Sequence, residues 1–98
     1  MSWNNAGPVV ELAPGGSASW GYSWANGQDM GVEIAGPNFP TEDIAPGNLG
    51  TLVASNQGKQ LLGFSPTGQG AMVSYVVTIT NISRNEAGWH NLQGGTVS

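Results

Sequence analysis

Ala71-Met72-Val73-Ser74-Tyr75-Val76-Val77-Thr78-Ile79-Thr80-Asn81 is the stretch that decides the class of fold. It is dense in β-branched and aromatic side chains, which suit a pleated strand. Two-residue alternation puts Ala71, Val73, Tyr75, Val77 and Ile79 on one face. Met72, Ser74, Val76, Thr78 and Thr80 fall on the other. The first set is the more apolar and is the expected core face.

Turn signals punctuate the chain on either side. They fall at Ala13-Pro14-Gly15-Gly16, Asn26-Gly27, Gly36-Pro37-Asn38, Pro46-Gly47-Asn48, Asn56-Gln57-Gly58, Ser65-Pro66-Thr67-Gly68 and Asn85-Glu86-Ala87-Gly88. Pro14 followed by Gly15 fits a type II turn, whose third residue needs positive φ. Asn-Gly is the strongest short hairpin signal. The segments between them predict strands over 8–12, 17–25, 30–35, 49–55, 59–64, 71–81 and 88–94, with no helical periodicity. About seven short strands at this spacing predict one all-β domain over residues 1–98. Its expected form is an antiparallel β-sandwich, immunoglobulin-like or jelly-roll-like. The early Ala-Pro-Gly-Gly-Ser turn and the late Tyr-Val-Val-Thr-Ile-Thr-Asn strand resemble an immunoglobulin-like or fibronectin-like sandwich in layout. The Cys…Trp…Cys signature of true immunoglobulin domains is absent. An internal echo also stands out. Ala6-Gly7-Pro8 precedes Glu11-Leu12-Ala13-Pro14-Gly15-Gly16, and Ala35-Gly36-Pro37 precedes Asp43-Ile44-Ala45-Pro46-Gly47-Asn48. It reads either as a duplicated unit of about 30 residues or as recurrent Pro-Gly turns.

Composition removes several functions. The chain has 98 residues, of which 8% are charged, against roughly 25% in an average soluble domain. Two basic residues, Lys59 and Arg84, face six acidic ones, for a net charge of −4. No phosphate-tracking surface can be made from two separated cations, so nucleic acid is not an expected partner. Anionic lipid is disfavoured for the same reason. The longest apolar run, Tyr75–Ile79, is strand-sized, and no membrane span is expected. The first 58 residues hold no Lys or Arg and the N-terminus no apolar block, so no signal peptide is visible. The chain reads as cytoplasmic or non-classically exported, unless a leader has been removed. With no cysteine there is no disulfide and no thiolate metal site.

Catalytic sets are thin. His90 is the only histidine. No Gly-x-Ser-x-Gly elbow supports a triad. One His without Cys cannot build a tetrahedral zinc site unless carboxylates join it. The Glu42-Asp43 doublet lacks the spacing of a calcium loop. Asn81-Ile82-Ser83 matches a glycosylation sequon and reads as the end of the long strand. The expectation is a non-enzyme with no cofactor and no metal.

The binding candidates are aromatic and amide side chains. In Ser17-Ala18-Ser19-Trp20-Gly21-Tyr22-Ser23-Trp24, alternation gives Trp20, Tyr22 and Trp24 one face and the small residues the other. The rings read as core or as a stacking platform, with Trp24 beside the Asn26-Gly27-Gln28-Asp29 tip. In Trp89-His90-Asn91-Leu92-Gln93, the residues Trp89, Asn91 and Gln93 share a face. Aromatic faces stack on the C–H faces of sugars, and amides present donor and acceptor side by side to hydroxyl pairs. The residues expected to bind ligand are therefore Trp24, Asn26, Gln28, Asp29, Trp89, Asn91 and Gln93. The expected function is a carbohydrate-binding, lectin-like module for neutral glycans. The alternative is a structural or assembly subunit that associates through low-charge sheet faces. Weak charge repulsion predicts a homo-oligomer, most simply a dimer. The outer face of 71–81 and the Ser/Gly face of 17–24 are the expected contact surfaces.

Overall fold

The computed structural model describes residues 2–23, 29, 33–64 and 70–96. Among them are six strands: β1 (Ser2–Leu12), β2 (Ser17–Tyr22), β3 (Glu33–Asn38), β4 (Leu52–Phe64), β5 (Ala71–Asn81) and β6 (Gly88–Thr96). They form two three-stranded antiparallel sheets. In one, β6 lies between β1 and β3; in the other, β5 lies between β2 and β4. A single 3-10 turn, Thr41–Asp43, interrupts the connection from β3 to β4. No helix among the described residues is long and apolar enough to cross a membrane.

The alternation expected of 71–81 holds from Tyr75 to Thr80, whereas Ser74, expected on the outer face, is buried and Val73, expected in the core, is half-buried. Tyr75, Val77 and Ile79 are buried, while Ala71 at the strand's start is exposed. The two sheets meet in one core cluster of Leu12, Ala35, Leu52, Val77, Ile79 and Leu92, with Ala18 and Trp20 packed against it. Every strand supplies at least one of these side chains, so neither sheet closes its apolar face without the other.

The strand boundaries differ from expectation in two instructive places. The Asn56-Gln57-Gly58 signal was expected to separate two strands. Instead one strand runs through it, because the pairing with β5 absorbs an extra residue between Ser55 and Gly58. Asn56 adopts the positive φ the signal calls for, at 53°, but as a β-bulge rather than a reversal. The bulge sends the Gln57 side chain to β3, where its Oε1 accepts a hydrogen bond from the Ala35 backbone N–H at 2.9 Å. Gly36-Pro37-Asn38, expected as a turn, is the end of β3. Pro37 is tolerated there because β3 is an edge strand. With 49–55 and 59–64 joined, the described strands number six rather than about seven.

The internal echo has a structural counterpart. β1 and β3 flank β6 from opposite sides, and β2 and β4 flank β5 in the same way. The two Pro-Gly turns are alike. Gly15 and Gly47 have φ of 81° and 90°. Each turn is closed by a bond from its fourth residue to its first, Gly16 N–H to Ala13 O at 2.8 Å and Asn48 N–H to Ala45 O at 3.1 Å. Both turns also bond to the end of β5 or the loop after it, Gly15 N–H to Asn81 O and Ala87 N–H to Gly47 O.

That end of the molecule is fastened by Asn81, which is completely buried. Its Nδ2 donates to Leu12 O at 3.0 Å and to Glu86 O at 2.8 Å. Its Oδ1 accepts from Ser83 N–H at 2.9 Å. The amide thus ties the end of β1, the end of β5 and the following loop. Both its protons are used internally, so the sequon is not accessible in the folded chain.

Candidate functional site

The segment 88–96 is a strand because it pairs on both sides. Leu12 to Ala6 of β1 and Asn38 to Glu33 of β3 run alongside it. Its alternation is as expected. His90 and Leu92 are buried, while Trp89, Asn91 and Gln93 are half-buried on the outer face. Residues opposite each other on paired strands share a face. Register therefore adds Glu11 beside Trp89 and Asn5 beside Gln93, both from β1. It adds Asn38 beside Asn91 and Gly36 beside Gln93, from β3.

One outer face thus gathers Trp89, Asn5, Asn38, Asn91 and Gln93, with the single carboxylate Glu11 at its edge. Asn38 Nδ2 donates to Asn91 Oδ1 at 2.7 Å, and Asn91 Nδ2 donates to Gly7 O at 3.5 Å. This relay crosses all three strands and fixes how the Asn91 amide is turned. Gly36 leaves a low point, since a Cβ built there would meet nothing within 4 Å. Just past Asn38 an open hollow of about 420 Å³ begins, lined by Phe39, Thr41, Ile44, Asn48, Leu49 and Gly50. Asn5, Glu11 and Asn38 carry no local signal of this role. Only the pairing of strands some 50 to 90 positions apart brings them to Trp89.

The other expected residues fare differently. Trp24, Asn26 and Gln28 lie outside the described residues. Asp29 bonds to the opposite sheet. Its Oδ1 accepts from Lys59 Nζ at 2.8 Å and from the Tyr75 hydroxyl at 3.2 Å. The Lys59 ammonium also lies 5.8 Å from the Tyr75 ring centroid. These contacts of Asp29 are with β4 and β5.

Trp20 is a core-facing residue rather than a platform. Its indole meets His90 edge-on, with ring centroids 5.8 Å apart and planes at 79°. Trp20 Nε1–H donates to His90 Nε2 at 3.2 Å. Indole nitrogen only donates, so His90 is neutral with its proton on Nδ1. Nδ1 is buried with no hydrogen-bond partner among the described residues. Desolvation lowers the His90 pKa below its ordinary 6.5. A fully buried imidazole held this way has no access to a substrate. On the other side the indole presses on Gly7, where an added Cβ would stand 2.5 Å from Trp20 Cζ3. Gly7 has φ +77° and sits in the irregularity of β1 between Ala6 and Val10. Ser17, Ser19 and Gly21 point outward, as alternation requires.

The arrangement offers hydrogen-bonding forks and one indole on a nearly uncharged surface. Glu42 and Asp43 are exposed in the 3-10 turn, and no three His, Cys, Asp or Glu side chains cluster among the described residues. Comparison with protein-family models, with curated proteins and with solved structures finds no match.

Proposed function

We propose that the protein is a non-catalytic carbohydrate-binding module that holds neutral glycans on the outer face of the β1-β6-β3 sheet. The observation that carries this reading is the convergence of Trp89 with four amide side chains, Asn5, Asn38, Asn91 and Gln93, from three strands. The indole stacks on the C–H face of a sugar ring. Gln93 and Asn5, paired in register, meet vicinal hydroxyls with donor and acceptor together. The Asn38–Asn91 relay keeps its amides oriented before ligand arrives, which lowers the ordering cost of binding. So shallow a site binds weakly alone and gains from multivalency. The fold is read as a jelly-roll-like sandwich. β1 pairs with β6 in one sheet and β2 with β5 in the other, and β3 and β4 complete them. This nested pairing is what a rolled hairpin produces.

Titration with a panel of neutral oligosaccharides, followed by tryptophan fluorescence, tests the reading. A saturable change for at least one sugar is expected, lost in Trp89→Ala and weakened in Gln93→Ala. No response across the panel would overturn it.

A second reading, an assembly subunit, is favoured by a separate observation. Every residue of β4 after Leu52 is exposed, twelve in succession, and Leu61, Leu62 and Phe64 are large apolar side chains among them.

A further inference from the structure

β3 ends at Asn38, opposite Asn91, so its pairing with β6 stops short of Trp89. On that flank of β6 the chain leaves the sheet at Phe39 and returns at Leu49, which bridges to Gly88. Trp89 and His90 lie between those two contacts. The connection from β3 to β4 thus takes the place of a neighbouring strand beside Trp89, on the flank away from Glu11. Paired Cα atoms on antiparallel strands are about 4.5–5.5 Å apart, so this connection stands one pairing distance from β6 at both ends. Every residue that lines the open hollow of about 420 Å³ comes from it. That volume falls within the roughly 300–1,000 Å³ of small-molecule sites.

The backbone around the hollow is fixed. Thr41 N–H donates to Phe39 O at 2.9 Å, Asp43 N–H to Pro40 O at 2.9 Å and Asn48 N–H to Ala45 O at 3.1 Å. Gly50 N–H donates to Ala87 O at 2.8 Å, and a Cβ on Gly50 would stand 2.7 Å from that oxygen. The side chains differ from the backbone. The Thr41 hydroxyl and the half-buried Asn48 amide make no hydrogen bond among the described residues. Beside them stand three apolar side chains, Phe39, Ile44 and Leu49, of which Phe39 and Leu49 are exposed. No lining residue is charged. The adjacent charges are the exposed carboxylates Glu42 and Asp43, between Thr41 and Ile44. They disfavour an anionic ligand.

We propose that this hollow is a subsite for the acetamido group of an N-acetylated amino sugar held on the adjoining Trp89 face. The proposal rests on the sugar-binding reading and narrows its ligand class. An acetamido group joins a methyl, an N–H donor and a carbonyl acceptor on an uncharged sugar. Its methyl packs against Phe39, Ile44 and Leu49. Its N–H donates to Asn48 Oδ1, and its carbonyl accepts from Asn48 Nδ2 or the Thr41 hydroxyl. The hollow also has room for the edge of the ring that bears it. A hydroxyl in the same place leaves the apolar walls uncovered. An alkyl substituent covers them but leaves Asn48 and Thr41 unpaired, and a site built to hydrogen-bond a group rejects the analogue that lacks it. A sugar carboxylate meets Glu42 and Asp43. Because the surrounding backbone is already bonded, little ordering is needed when the group enters.

Calorimetric titration with matched sugars tests the subsite. Chito-oligosaccharides are compared with cello-oligosaccharides of equal length, and N-acetylgalactosamine with galactose, because each pair differs only at C2. The wild-type protein is expected to bind the acetamido member of at least one pair about tenfold more tightly, which corresponds to about 1.4 kcal/mol. Asn48→Ala removes the amide and Thr41→Phe fills the hollow, so each is expected to bring that ratio close to one. Trp89→Ala weakens both members of the pair. Thr41 is exposed, so Thr41→Phe decides the matter even where Asn48→Ala lowers the melting temperature. Sugars that bind with no acetamido preference, or a preference that survives in Thr41→Phe, would overturn the subsite and leave the sugar-binding reading standing. No binding of any sugar would overturn both.

Discussion

Replacing Asn81 by Ala removes three hydrogen bonds to backbone groups, two donated and one accepted. Each is worth about 1 kcal/mol net, and a buried group left without a partner costs about 1–3 kcal/mol. Leu12 O, Glu86 O and Ser83 N–H would all be deprived at once. The loss is therefore about 3 kcal/mol, within a total of about 5–15 kcal/mol for a domain of this size. With a urea slope of about 1–3 kcal/mol per M, the unfolding midpoint falls by about 1–3 M. Urea denaturation followed by tryptophan fluorescence measures this directly. Asn81→Asp sharpens the test. It keeps an acceptor for Ser83 but turns a second acceptor toward the two carbonyls. Desolvation and those carbonyls raise the carboxyl pKa above its unfolded value near 3.9. Relative to wild type, this variant should be most stable below about pH 4 and lose stability as pH rises through the raised pKa. A midpoint shift for Asn81→Ala below about 0.5 M, or an Asp variant whose deficit does not grow with pH, would refute the assignment of Asn81 as the fastening of that end.

Three further perturbations follow from the same contacts. His90 has a lowered pKa in the fold, so the unfolded chain binds more protons below about pH 6.5 and wild-type stability should fall as pH drops through that point; His90→Gln should flatten the profile of the melting midpoint between pH 7 and pH 5. Protonation also sets two N–H donors against each other, so Trp20 emission should change in the same pH range before unfolding. Gly7→Ala meets both a positive φ and the Trp20 ring, and should cost about 2–4 kcal/mol, whereas Gly15→Ala meets only the φ term in open space and should cost about 1 kcal/mol; thermal melts of the two variants give the order. Gln57→Ala uncovers the Ala35 N–H on the β3 edge and should lower stability by about 1 kcal/mol while raising the rate of aggregation in light scattering.

Much of the framework could be read along the chain. The core face of 71–81, the outer face of Trp89, Asn91 and Gln93, and the two Pro-Gly turns all depend on neighbours within a few residues. Alternation and the glycine requirement of a type II turn are local properties. Asn56-Gln57-Gly58 shows where that reasoning stops. A residue suited to positive φ serves a reversal and a bulge equally well, and only the continuing ladder with β5 selects the bulge. Gly36-Pro37-Asn38 is a similar case. Proline ends a central strand but not an edge strand, and edge position is a property of the sheet. Trp20 in the aromatic stripe is a third case. Whether Trp20 faces solvent or core depends on His90, seventy residues away, and on the gap that Gly7 leaves for its ring.

By itself the sequence determined an all-β chain of low charge, the faces of its best strands and the chemistry of its surface, because side-chain alternation and turn preferences are set by adjacent backbone geometry. Tertiary structure alone decided which faces became surfaces of use. Pairing across distant strands assembled Asn5, Glu11, Asn38 and Trp89 into one face, drew Asp29 to Lys59 and Tyr75, and left most of β4 exposed. Those outcomes depend on strand order and register, which no short stretch of sequence encodes.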